Sequence, residues 1–200
     1  MRVDELKRTL RSVGAQKFCE DHLFNADCWI FDKSRSTLDL KGEYADFKDT
    51  ISGLIGEKPK NIAIVGSAKY GVSMHPEKSF RAFNKRSDID IVIISPTLFF
   101  EVWDAYREAY FNGYNWLNKI HSKSIFRRFV VIYSDERSEY KSIYLRSVWL
   151  KMENLRKEIA LKHRISNSIK FRIYYSWEDA KNYHISGTKQ LKEKIKDDAE

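Results

Sequence analysis

Cysteine is scarce in this chain: only Cys19 and Cys28 occur, and neither belongs to a CxxC pair. So few thiols argue against a disulfide framework and fit reduced cysteines in a cytoplasmic protein. The five histidines, His22, His75, His121, His163 and His184, are scattered, which argues against a zinc-type Cys/His cluster. No window approaches the run of about 18 apolar residues that a membrane helix needs, so no membrane partner is expected. The N-terminal MRVDELKRTL is charged and lacks an apolar stretch, so no signal peptide is expected. Internal repeats, low-complexity tracts and linkers are also missing.

What is present is enough for a core. Of 200 residues, 42% are apolar and 14% aromatic, which excludes a disordered chain. The length suits one domain over 1–200, with N-terminal helices in 1–58, a core in 59–135, and C-terminal helices and a strand in 136–200. Lys and Arg number 36 against 28 Asp and Glu, a formal net charge of +8. Such an excess favours polyanions: nucleic acid, nucleotide phosphates or an anionic membrane surface.

Periodicity supplies the elements. Leu6, Leu10, Val13 and Phe18 recur at helical spacing over 3–23, interrupted by Gly14. Tyr44, Phe47, Ile51, Leu54 and Ile55 predict an amphipathic helix over 41–55, stopped by Gly56. Residues 61–65 (NIAIV) and 88–94 (DIDIVII) read as buried strands. Ser95 and Pro96 then start a helix to about Phe111, with Leu98, Phe99, Val102, Trp103, Tyr106 and Tyr110 on its buried stripe. Further strands are predicted at 129–133 and 169–175, and helices at 143–162 and from Trp177 to about Lys196. The order implies an α/β (α+β) domain with a small mixed β-sheet flanked by helices.

The chemistry concentrates in two places. Asp88 and Asp90 lie two residues apart on a strand, so their carboxylates share one face some 6–7 Å apart. Like charges so placed cost stability unless something positive lies between them, and a hard divalent cation serves that purpose. An isolated pair of this kind is more often a solvated strand start. The second place is the exit of the preceding strand, where Gly66 and Ser67 form a turn into a helix. Glycine lets the backbone approach a ligand, the Ser67 hydroxyl can reach a phosphate, and Lys69 adds positive charge nearby. Aromatic residues such as Tyr174 and Trp177 have faces on which bases stack, whereas Trp103, Tyr106 and Tyr110 fit core packing better.

Together, Ile64-Val-Gly-Ser-Ala-Lys-Tyr-Gly71 and Ser87-Asp-Ile-Asp-Ile-Val-Ile93 resemble the nucleotidyltransferase fold of the DNA polymerase β superfamily, over about residues 61–95. The resemblance implies a Mg²⁺- or Mn²⁺-dependent enzyme moving a nucleoside monophosphate from a nucleoside triphosphate onto an acceptor. Asp88 and Asp90 would be the catalytic metal ligands, and Gly66, Ser67 and Lys69 would hold the nucleotide. The net charge of +8 favours RNA, such as tRNA, as acceptor; a protein hydroxyl on a partner protein, a small molecule and another nucleotide are the other candidates. Stand-alone bacterial members belong to toxin–antitoxin or phage-defence systems, which the resemblance alone implies.

Two departures from that pattern stand out. The 20 residues between Ser67 and Asp88 exceed the usual spacer. The excess is the basic stretch 75–86, which could set Lys78, Arg81, Lys85 and Arg86 beside phosphates or remain a solvated loop. The superfamily's third carboxylate is also missing from both later strands, leaving Asp135, Glu136, Glu178 and Asp179 as candidates. Without it, the alternative is a catalytically inactive nucleotidyltransferase-like binding or adaptor subunit.

Overall fold

Strand β4, Ile169–Tyr174, sets the architecture by alternation: Ile169, Phe171 and Ile173 turn to one side, Lys170, Arg172 and Tyr174 to the other. The computed structural model of the chain describes residues 3–25, 27–36, 38–78, 80–135 and 137–197. Its four strands are β1 (Ile62–Val65), β2 (Ile89–Ile94), β3 (Phe129–Ile132) and β4, in the spatial order β1-β2-β4-β3. The inner pair β2–β4 is parallel, and the outer strands pair antiparallel to it. This is the mixed sheet expected of an α+β domain.

Helices cover both faces. On the first, Ile64, Ile91, Ile93, Val130 and Phe171 pack against α3 (Tyr44–Ile55), α5 (Pro96–Phe111), α6 (Trp116–Phe126) and α7 (Ile143–His163). On the second, Ala63, Val92, Ile94, Val131 and Tyr174 meet Leu6 of α1 (Val3–Ser12), Phe18 of α2 (Ala15–Phe18), and Leu191 and Ile195 of α8 (Trp177–Asp197). Phe171 and Phe47 are wholly buried, and a side chain of that size contributes about 1.5–3 kcal/mol on leaving water. Among the described residues no helix is long and apolar enough to cross a membrane.

Local chemistry explains the boundaries. Helix α3 begins at Tyr44 rather than at 41, because the Asp46 carboxylate accepts the Glu43 N–H at 2.9 Å in a capping box. It ends on Gly56, whose φ of 76° is left-handed. Ser95 caps α5 as expected, accepting the Leu98 N–H at 3.1 Å. The predicted N-terminal helix instead breaks: α1 stops at Ser12, Gly14 is extended, and α2 runs into a wide π-type turn over Cys19–Leu23. Trp103 is only partly buried and Tyr110 is 37% exposed, so the buried stripe of α5 is narrower than expected. Helix α6 was not foreseen, and only Leu117 and His121 of it are buried, too few to give a periodic signal. Cys19 and Cys28 are both free and buried, and His163 is structural, bonded to Thr50 Oγ1 and the Lys41 carbonyl.

The end of β3 and the start of β4 are tied to the first helix layer by Arg156 of α7, only 5% exposed. It donates to the carbonyls of Ile169 (2.9 Å) and Ile132 (2.7 Å), and to the Glu153 carboxylate (2.9 Å). A buried carbonyl that loses its donor keeps its full desolvation cost. Arg156→Met is therefore expected to lower unfolding free energy by about 2–4 kcal/mol, measured by urea denaturation.

Candidate functional site

At the start of β2 the polar side of the sheet opens into a cleft of about 690 Å³. Gly66 and Ser67 line it from the β1 exit, Asp88 and Asp90 from β2, and Arg172 from β4. The two motifs read in the sequence are thus brought to one place. Gly66 has φ 69° and ψ −145°, a conformation that L side chains avoid. A Cβ there would also lie 3.3 Å from the Asp90 carboxylate, so the turn packs directly on the second aspartate. The helix that follows, α4 (Ser67–Tyr70), is a single turn, too short to carry much of a dipole.

Lys69 is not in the cleft. Residues two apart on a helix point to nearly opposite sides, so Lys69 leaves on the far side from Ser67. Its ammonium donates to the Asn25 carbonyl (2.9 Å) and side-chain oxygen (2.7 Å) and to the Asp27 carbonyl. It is 5% exposed, and burial pulls it down to about 8. It thus ties α4 to Asn25 and Asp27 and does not line the cleft.

The basic spacer is folded rather than loose. Val72 and Ala82 form a β-bridge, flanked by bonds from Ser73 N to Arg81 O and from Phe83 N to Gly71 O, both 2.8 Å. Phe83 is buried against Trp29. Asn167 donates to the carbonyls of Asn84 (3.0 Å) and Ser87 (2.8 Å), pinning the hairpin base to the start of β4. This hairpin turns Lys78, Arg81 and Arg86 into the cleft, while Lys85 does not line it. Arg127 and Arg128, from the turn before β3, join them, as do Asp179, Asn182, Tyr183 and His184 of α8. Of these six only Asp179 was a candidate from the sequence, as a third carboxylate; the others come from elements far apart in the chain.

Around the aspartates the neighbouring strand supplies cations. The parallel register places Asp90 opposite Lys170 and Val92 opposite Arg172. Lys170 donates to Asp88 at 2.6 Å. Arg172 donates through Nε and Nη2 to the same Asp90 oxygen at 3.3 Å, and through Nη1 to the Tyr183 hydroxyl at 3.4 Å. Burial pulls the Arg172 guanidinium down, but Asp90 and the phenols of Tyr183 and Tyr174 outweigh it and hold it above its ordinary value.

The residues present do not fit a two-metal centre. Two carboxylates are available, and each already has a cation bonded to it from β4, the strand next to β2. Of the third-carboxylate candidates, Asp135 is paired with Arg137 at 3.0 Å, and Glu178 accepts from Asn182. Asp179 lines the cleft but accepts from Ser176 at 2.6 Å at the start of α8; Glu136 lies outside the described residues. No group of three or more His, Cys, Asp or Glu side chains that could hold a metal occurs among the described residues.

The cleft instead carries an excess of positive charge: Lys78, Arg81, Arg86, Arg127, Arg128 and Arg172 against Asp88, Asp90 and Asp179. Two buried polar atoms of its lining residues lack any partner, the Tyr70 hydroxyl and His184 Nε2. Burial, then the charge of Arg172, pushes His184 down to about 3, so its ring is neutral at physiological pH. Buried polar groups without partners are rare in folded chains; among the described residues Glu139 Oε1, Trp149 Nε1 and the Tyr174 hydroxyl, outside the cleft lining, also lack one.

Exposure ranks the two ion pairs. The Arg172 and Asp90 side chains are 24% and 23% exposed, those of Lys170 and Asp88 30% and 38%. A double-mutant cycle with Arg172→Met and Asp90→Asn is expected to give a coupling of about 1–3 kcal/mol. The cycle with Lys170→Met and Asp88→Asn should give less than about 1 kcal/mol, both read from denaturant unfolding.

In comparisons with known proteins, no family model matches the chain, and no curated protein or solved structure shows significant similarity to it.

Proposed function

We propose that the cleft binds the phosphates of a nucleotide or nucleic acid without metal-dependent transfer, as a nucleotidyltransferase-like binding module. The observation that carries this reading is the cation bonded to each aspartate, Lys170 on Asp88 and Arg172 on Asp90. A divalent ion would have to displace or sit beside those cations, with two carboxylates in place of three. Phosphate oxygens, by contrast, meet Arg81, Arg86, Arg127 and Arg128 along the rim, and guanidinium forks suit them. The Gly66 turn lets a ligand approach the backbone beside Ser67.

In this reading Asp88 and Asp90 hold back the surplus positive charge. They keep Lys170 and Arg172 ordered and tune how strongly the cleft attracts anions. A second reading, Mg²⁺-dependent nucleotidyl transfer, is favoured by the convergence of Gly66, Ser67, Asp88 and Asp90 on one cleft. The acceptor would then be RNA or a protein hydroxyl.

The two readings give opposite signs for one variant. If the cleft binds phosphates unaided, the double substitution Asp88→Asn/Asp90→Asn removes two negative charges and is expected to tighten inorganic triphosphate binding roughly fivefold or more. That is measured by calorimetry in EDTA. Under the transfer reading, α-labelled nucleoside triphosphate with Mg²⁺ puts label on RNA or protein, and the same variant abolishes it. Wild-type labelling lost in the variant would sink the binding-only reading.

A further inference from the structure

Phe126 is 89% exposed, the most exposed large apolar side chain among the described residues, yet it stands in the lining of the cleft. A single exposed phenylalanine on an open surface needs no explanation. Its setting here is different in three respects. It is the last residue of α6, followed at once by Arg127 and Arg128, which line the same cleft. The turn is fixed on both sides: Arg127 N–H bonds to the Ser124 carbonyl at 3.0 Å, Arg128 N–H to the Ile125 carbonyl at 2.9 Å, and Tyr175 N–H to the Arg128 carbonyl at 3.0 Å. Arg128 is held at φ 53°, a left-handed conformation rare for a residue with a side chain. Its guanidinium lies over Tyr175, and that of Arg127 over Tyr183, so both cations are steadied by rings beneath them.

A strained turn, a projecting ring and two steadied cations at the rim of a basic cleft are what a stacked base and its flanking phosphates require. Aromatic platforms bind single strands because every base offers a flat face, whereas bases inside a duplex are already stacked. We infer that a single-stranded nucleic acid crosses the cleft rim, with one base stacked on Phe126 and the adjoining phosphates on Arg127 and Arg128. The inference rests on the phosphate-binding reading of the cleft and adds the class of ligand: an oligonucleotide rather than a lone nucleotide.

The test uses the full chain, in EDTA, with a fluorescent ten-nucleotide single strand of RNA or DNA, the same sequence as a duplex, and inorganic triphosphate as a separate probe. Single strands are expected to bind more tightly than the duplex. Phe126→Ala is expected to lower the ratio of single-strand to triphosphate affinity at least about fivefold, the lower end of base–aromatic stacking, and Phe126→Trp to restore it. A ratio unchanged in Phe126→Ala, or a duplex bound as tightly as the single strand, overturns the inference and leaves phosphate binding standing. Triphosphate that fails to bind, with strands still bound and sensitive to Phe126→Ala, overturns the proposed binding of free phosphates by the cleft but supports stacking on Phe126. No binding of any probe overturns both.

Discussion

The parallel pairing of β2 with β4 decides the character of this molecule. Sliding β4 by one residue would carry Ile169, Phe171 and Ile173 out of the core and Lys170 and Arg172 into it, so the register is held by burial. Once held, it leaves no choice about the other face: two aspartates on one strand must lie beside two cations on the next. The burial of the first face thereby dictates the electrostatics where the second face opens into the cleft. The closest contacts of Asp88 and Asp90 are products of strand register as much as of local sequence.

This coupling explains why the cleft is basic while being lined at its floor by acids. The floor pairs neutralise one another, so the charge felt by a ligand comes from the rim: the hairpin with Lys78, Arg81 and Arg86, and the turn with Arg127 and Arg128. The hairpin holds its position through buried Phe83 and the two hydrogen bonds of Asn167, so the cations it carries are presented from an ordered backbone. Preorganised charges bind without the ordering cost that a loose loop would incur.

Much of the scaffold was legible before the structure. Residues 61–65 and 88–94 are dense in β-branched side chains and bounded by Pro59, Gly66 and Pro96, so their strands stood out, and the convergence of Gly66-Ser67 with Asp88-x-Asp90 was implied by the resemblance to the nucleotidyltransferase fold. Helix α6 was not legible, because most of its surface faces solvent and its two buried residues are too few for a periodic signal. Lys69 misled because proximity in sequence to Ser67 means the opposite side of a helical turn. The partners of the aspartates were beyond reach for a further reason. Lys170 and Arg172 read as the wet half of an alternating strand, and nothing local says which strand will lie alongside. Arg127, Arg128 and the α8 residues enter the cleft only through tertiary assembly.

The strand order has a consequence for how the chain acquires its shape. β4 is made after β1, β2 and β3, yet it lies between β2 and β3, which do not touch each other in the sheet. Until residues 169–174 insert, β2 and β3 each present an unpaired edge lined with Ile and Val, the kind of edge that pairs with other chains. Closing that gap joins segments some 80 residues apart in sequence, and contacts of such separation slow folding. A nascent chain emerging from a ribosome therefore waits for residues 169–174 before β2 and β3 can be joined. During that wait α3, α5 and α7 are the available cover for the apolar strands, which gives the thick helical layer on that face a protective duty before it has a structural one.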